Sequence, residues 1–122
     1  MTGIMMITGA GRGIGRATAI LAARAGYDVC INYAEDVTSA EDTCAECAET
    51  GVAVTTFKAN VADPSDVRAL FSHCDNTLGP VTALINNAGI IGRSVKLADL
   101  DSSVLLDTFA VNVHGAIYCC QE

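Results

Sequence analysis

Thr8-Gly9-Ala10-Gly11-Arg12-Gly13-Ile14-Gly15 is the stretch of this chain whose residue types and spacing suit chemistry best. Glycines allow a tight turn and let backbone N–H groups approach a pyrophosphate, which then meets the positive N-terminus of a following helix. The spacing narrows the class of site. The dinucleotide fingerprint G-x-G-x-x-G fails from Gly9 and Gly11, because position 14 is Ile14. No Gly-Lys-Ser/Thr follows, so a P-loop is excluded. What fits is Thr-Gly-x-x-x-Gly-x-Gly, at Thr8, Gly9, Gly13 and Gly15. Three asparagine-bearing segments accompany it: Asn60-Val61, Asn86-Asn87-Ala88-Gly89, and Asn112 within Phe109-Ala110-Val111-Asn112-Val113-His114-Gly115-Ala116.

The elements that must position these residues alternate strand and helix. Ile4 to Thr8 reads as a buried strand, and Gly13 to Ala25 as a small-residue helix closed by Gly26. Tyr27 to Tyr33 is a second strand, Val37 to Glu49 a helix that stops at Gly51, and Val52 to Ala59 a third strand. Asp63-Pro64-Ser65-Asp66 is a helix start with Asp63 as N-cap and Pro64 in the first turn. That helix carries Val67, Leu70 and Phe71 inward and ends near Gly79-Pro80. Val81 to Asn86 is a fourth strand, a loop follows, and a last helix runs from Asp101 to the end. Alternation of this kind predicts a Rossmann-type α/β fold, a parallel sheet flanked by helices, within one domain spanning residues 1–122. With strand order 3-2-1-4, the carboxyl ends Thr8-Gly9 and Asn86-Asn87 line one crevice at the topological switch point.

Bulk properties exclude several classes. The net charge of −7, from 14 acidic and 7 basic residues, argues against a nucleic-acid surface. No apolar run approaches the roughly 18–20 residues that span a bilayer. The start, Met1 to Ile7, lacks the basic flank of a secretory signal, so the expected location is cytoplasmic and the six cysteines are expected to be reduced thiols. Cys44-Ala45-Glu46-Cys47 has no second pair to complete a zinc set and lies inside a helix, so both cysteines read as small helix residues. His73 and His114 stand alone, and Glu35, Asp36, Glu41, Asp42, Glu46 and Glu49 read as a solvated face. Gly9-Ala10-Gly11-Arg12-Gly13 also meets the G-x-G-x-G of S-adenosylmethionine methyltransferases, but those place an acid where this second strand ends in Asn32-Tyr33.

Taken together, these motifs resemble the short-chain dehydrogenase/reductase family over the whole chain. The resemblance implies that Thr8, Gly9, Gly11, Arg12, Gly13, Ile14 and Gly15 form the cofactor loop, joined by Tyr33, Asn60, Val61, Asn87, Ala88 and Gly89. Asn112 matches the asparagine of the catalytic tetrad, which supports a water linking the family's lysine to solvent. Asn60 stands where the family has an aspartate facing adenine; its amide oxygen is expected to accept from the adenine amino group without the charge. The family's serine and Tyr-x-x-x-Lys follow the tetrad asparagine and are not among these 122 residues; Tyr118 cannot substitute, since position 122 is Glu122. The chain is therefore expected to be the cofactor-binding half of an NAD(P)-dependent oxidoreductase that interconverts an alcohol and a carbonyl, truncated after about four strands and inactive alone. The alternative is a non-catalytic nucleotide-binding or regulatory product of a truncated gene. A nicotinamide dinucleotide, a small alcohol or carbonyl substrate and a second copy of the chain are the expected partners, with no nucleic acid and no membrane. Tyr33 supplies no acid for the 2′-hydroxyl of NAD, and Arg12 resembles the basic residue of NADP-preferring members, so NADP is expected ahead of NAD.

Overall fold

Four strands make one parallel sheet in the order β3-β2-β1-β4, as the alternation predicts. The computed structural model describes residues 3–122; Met1 and Thr2, which open the N-terminal stretch considered above, lie outside the described residues. The strands are β1 (Ile4–Ile7), β2 (Asp28–Tyr33), β3 (Val54–Lys58) and β4 (Ala83–Ile85). The helices are α1 (Gly13–Arg24), α2 (Val37–Ala48), α3 (Pro64–Thr77), α4 (Ser102–Phe109) and α5 (Gly115–Gln121).

Alternate residues of each strand feed opposite faces of the sheet. Met6 and Cys30 pack with Val67, Leu70, Phe71 and Cys74 of α3 and Cys119 of α5. Ile7, Val29 and Ile31 pack with Ala19, Ala22 and Ala23 of α1 and with Ala40 and Cys47 of α2. Both faces of the central strands are therefore covered, and β2 accordingly reads apolar without alternation through Val29, Cys30 and Ile31. The alanines of α1 let that helix lie close to β1, which brings its N-terminus up to the turn that leaves the strand.

Two strands are shorter than their apolar runs. Val52 and Ala53 stay outside β3 because the Ala53 N–H donates to the Asp28 side chain at 2.8 Å. Val81 and Thr82 stay outside β4 because Thr82 uses its hydroxyl as well as its N–H to grip Ile4. Helix starts follow local chemistry. Asp63 caps α3 as expected, and Asp36 and Asp101 cap α2 and α4, each accepting from a serine N–H two or three residues on. Those serine contacts hold all three carboxyls below the ordinary aspartate range.

The last helix departs from expectation twice. It is interrupted by a π-helical turn at Ala110–His114, centred on Asn112; such turns are rare and concentrate at functional sites. Counted through that turn, Ser102–Gln121 is 20 residues long and contains an 18-residue stretch with a mean hydropathy of 1.3, so among the described residues one helix could cross a membrane by length and composition. The expectation that no segment could do so is corrected on that point. Asp107, Asn112 and His114 break the apolar run while leaving the mean high. Leu106, Phe109 and Ile117 are exposed on this helix.

Candidate functional site

The site is built at the carboxyl ends of β1 and β4. Beyond β1, the Thr8 N–H donates to the Ile85 carbonyl at 3.1 Å and so extends the pairing of the two strands. The Thr8 hydroxyl, in a side chain only 1% exposed, accepts from the N–H groups of Asn87 at 3.0 Å and Ala88 at 2.9 Å. The Asn87 amide returns the contact, donating to the carbonyls of Thr8 and Gly9 at 3.0 Å each. Gly9 holds φ +62°, and a β-carbon there would lie 2.9 Å from the Ala88 Cα. The loop glycine and the Asn-Asn-Ala-Gly segment thus interlock through backbone that no side chain could separate.

Asn112 is brought to the same place. Its amide clasps one residue at both ends, Oδ1 accepting from the Ile90 N–H at 2.8 Å and Nδ2 donating to the Ile90 carbonyl at 2.7 Å. Gly89 sits beneath that clasp, where a β-carbon would be 3.2 Å from Asn112 Oδ1. Asn86 anchors the other side, donating to the Ala116 carbonyl of α5 at 3.2 Å.

Two residues that sequence reasoning passed over organise the loop. Asn32, 1% exposed at the end of β2, accepts from the Gly9 N–H at 3.2 Å and donates to the Ala59 carbonyl at 3.1 Å. It ties the ends of β1, β2 and β3 into one edge. Its signal was an amide directly after a buried apolar run. Thr43 of α2, fully buried, bridges the carbonyls of Gly11 and Ser39 at 3.3 and 3.0 Å and accepts from Arg16 at 3.1 Å. Arg16 in turn pairs with Glu46 at 2.7 Å. Nothing in the spacing of positions 11, 16 and 43 points to that chain of contacts.

The remaining expected site residues fall into different surroundings. Gly13 has φ +58° and open space where a side chain would be, whereas Gly15 faces the Gly9 carbonyl, Ala10 and the Asn87 amide. Ile14 is 80% exposed beside the loop. Arg12 precedes α1 with its charge near Asp36, whose carboxyl it helps hold down. Tyr33 is half-buried against the α1–α2 side of the core. Val61 is buried, its side chain against Gly115, so only its backbone is available to a ligand. Asn60 is exposed, but its Oδ1 already accepts from the Ala62 N–H at 3.0 Å. That uses one of the two lone pairs of the oxygen expected to meet an adenine amino group, and the other is left to accept. His73 does not stand alone, since it shares a hydrogen bond of 2.7 Å with Thr55. Cys47 is buried and its thiol is pushed up to about 11, chiefly by burial, and Cys44 is shifted the same way; neither is a reactive thiolate.

The N-terminus of α1 fits a phosphate-bearing cofactor. Among the described residues no side chain caps α1 and no acid lies in its first turn. Its leading N–H groups therefore have no side-chain acceptor, and the missing side chain of Gly13 leaves room for one from outside.

Comparison with known proteins agrees with this geometry. The family model for short chain dehydrogenases matches residues 3–122. The chain is 34% identical over 119 residues to an uncharacterized oxidoreductase, YgfF, of Escherichia coli, covering 98% of this chain and 48% of that protein. It is 39% identical over 117 residues to an L-rhamnose 1-dehydrogenase (NAD(P)(+)) of a Sphingomonas species, covering 96% and 46%. Against the 3-oxoacyl-[acyl-carrier-protein] reductase FabG of Staphylococcus aureus the identity is 36% over 122 residues, covering 100% and 49%. The crystal structure of acetoin dehydrogenase YohF from Salmonella typhimurium superimposes with a TM-score of 0.90 at 32% identity, covering 99% of this chain and 47% of that one. The chain spans about half the length of the curated relatives it matches. With the glycine turn, the Asn87 lock and the Asn112 clasp in one crevice, and a family match over nearly every residue, this chain belongs to the short-chain dehydrogenase/reductase family of oxidoreductases.

Proposed function

We propose that this chain is the cofactor-binding half of an NAD(P)-dependent oxidoreductase that interconverts an alcohol and a carbonyl. The observation that carries the reading is the uncapped N-terminus of α1, which follows the turn after β1 and has open space where a Gly13 side chain would be. When bound there, the nicotinamide supplies hydride chemistry. The backbone from Gly9 to Gly15 holds the pyrophosphate, the end of β2 at Tyr33 flanks the ribose, and Asn60 and the Val61 backbone flank the base. Ala88 and Gly89 border the nicotinamide side. Asn112 acts from its π-turn, its amide clasped on Ile90 at both ends. The exposed apolar face of α4 and α5 serves contacts with further polypeptide, including a second copy of the chain, and the expected setting is cytoplasmic.

These 122 residues contain no Tyr-x-x-x-Lys. Oriented proton transfer then has no donor. Purified 122-residue chain is expected to show only background oxidation of NADPH or NADH with a panel of ketones, aldehydes and sugars. Turnover above background would contradict that expectation and require an acid among the residues present.

NADP is favoured over NAD. Tyr33 carries no charge to repel a 2′-phosphate, and Arg12 offers a charge-assisted donor worth roughly 1.5–3 kcal/mol. Asp36 moderates this, since its carboxylate lies near Arg12 at the start of α2. Calorimetric titration of the natural gene product should show Arg12→Ala weakening NADP+ by about tenfold or more, or about 1.4 kcal/mol, while NAD+ changes less than threefold. Stronger wild-type binding of NAD+, or NADP+ binding indifferent to Arg12, would exclude the assignment.

A further inference from the structure

We propose that Thr43 is a positioning residue for the cofactor: its buried hydroxyl holds the Gly11 carbonyl against α2 and so turns the Arg12 N–H outward, as a donor to a phosphate oxygen. The proposal rests on the dinucleotide reading above and concerns what sets the shape of the turn. Gly11 lies against the start of α2, where a β-carbon on it would be 3.4 Å from the Ala40 nitrogen and 3.6 Å from the Ser39 Cβ. The Gly11 carbonyl accepts from the Thr43 hydroxyl at 3.3 Å and has no other donor among the described residues. Among those residues no peptide bond is cis, so the bond joining Gly11 to Arg12 is trans. In a trans peptide the N–H points opposite to the carbonyl, so with the carbonyl on α2 the Arg12 N–H faces away from that helix. It meets no acceptor among the described residues. Arg12 immediately precedes α1, so this donor stands beside the leading N–H groups of the helix and adds to what they offer an anion.

The hydroxyl is itself directed from α1. Arg16 donates to Thr43 Oγ1 at 3.1 Å, which leaves the hydroxyl proton to the carbonyls of Gly11 and Ser39, at 3.3 and 3.0 Å. The Ser39 carbonyl also receives the Thr43 N–H along the helix, whereas Gly11 has the hydroxyl alone. A charged donor on the oxygen makes its O–H the stronger donor in turn. Phosphate at the Arg12 N–H polarises the Gly11–Arg12 peptide in the same sense, so its carbonyl becomes the better acceptor. The links run from the Arg16 guanidinium through Thr43 and the peptide to the anion, each donating toward it. Arg16 thereby acts on the phosphate through Thr43. Glu46 takes the other arm of the guanidinium at 2.7 Å and keeps Nη1 on the hydroxyl.

The test pairs affinity with a signal from the Arg12 amide. The natural gene product, labelled with nitrogen-15, is titrated with whichever of NADP+ and NAD+ it binds more tightly, as wild type, Thr43→Val and Thr43→Ser. Calorimetry gives the affinity and amide NMR follows the Arg12 N–H. Saturation should move the Arg12 amide proton downfield in wild type and in Thr43→Ser. Thr43→Val, which keeps the shape and removes the hydroxyl, should bind about tenfold more weakly, or 1.4 kcal/mol, and lose most of that shift. Thr43→Ser should stay within about threefold of wild type. Arg16→Met serves if the valine variant does not fold; it should weaken binding by about threefold and reduce the same shift. A wild-type complex in which the Arg12 amide does not move overturns the proposal. So does undiminished affinity in the variant, or weakened affinity with the full shift, which would mean that Thr43 only supports the fold. Failure of wild type to bind either dinucleotide overturns the cofactor reading and the proposal with it.

Discussion

Thr8→Val is expected to lower the unfolding free energy by about 2–5 kcal/mol, although valine has nearly the same shape. The hydroxyl it removes accepts from the Asn87 and Ala88 N–H groups, and the side chain is 1% exposed. Each buried donor left without a partner costs about 1–3 kcal/mol. Thr8→Ser keeps the acceptor and loses only a methyl group, so it should cost about 1 kcal/mol. Urea unfolding of the three proteins measures both effects. A Thr8→Val protein no less stable than Thr8→Ser would show that the hydroxyl packs and does not lock the turn.

Gly15→Ala should be the more damaging of two substitutions in the loop, and Gly13→Asn the more selective. A β-carbon on Gly15 would run into the Asn87 amide, the Gly9 carbonyl and the Ala10 Cα, the last at 3.0 Å. Backbone stands on two of those sides and cannot yield, so the cost should reach about 3 kcal/mol, the upper end for overpacking. At Gly13 the added side chain enters open space, and asparagine tolerates the left-handed conformation that φ +58° requires. Gly13→Asn should therefore stay folded and weaken dinucleotide binding by more than tenfold, equivalent to about 1.4 kcal/mol. Thermal denaturation and calorimetric titration separate the two results. Equal loss of stability in both variants, or undiminished binding by Gly13→Asn, would mean that the loop shapes the fold and touches no phosphate.

The architecture was legible from local chemistry. Strand and helix periods, Asp63 before Pro64, and the turn after Ile7 are each written within a few residues, and the structure reproduces the four strands and their order. Strand ends were less legible, because Thr82 and Asp28 divert backbone partners through side-chain bonds that an apolar run does not announce. The Thr8, Gly9 and Asn87 cluster could be anticipated as a site because glycine spacing between a strand and a helix has few uses.

What only the tertiary structure decided is the direction in which each polar group points. Asn32, Thr43 and Arg16 act across 23 to 32 positions of sequence, and the Asn112 clasp on Ile90 spans 22. Residue type and spacing name the amides, but not which end of each amide a neighbour has already taken. Val61 turns inward against Gly115, and Asn60 turns its oxygen toward the Ala62 N–H. The sequence alone determined the family, the sheet and the crevice, since these follow from patterns repeated along the chain. The polarity of the site was left to packing, because a buried hydrogen bond is assigned only when both partners have been brought together.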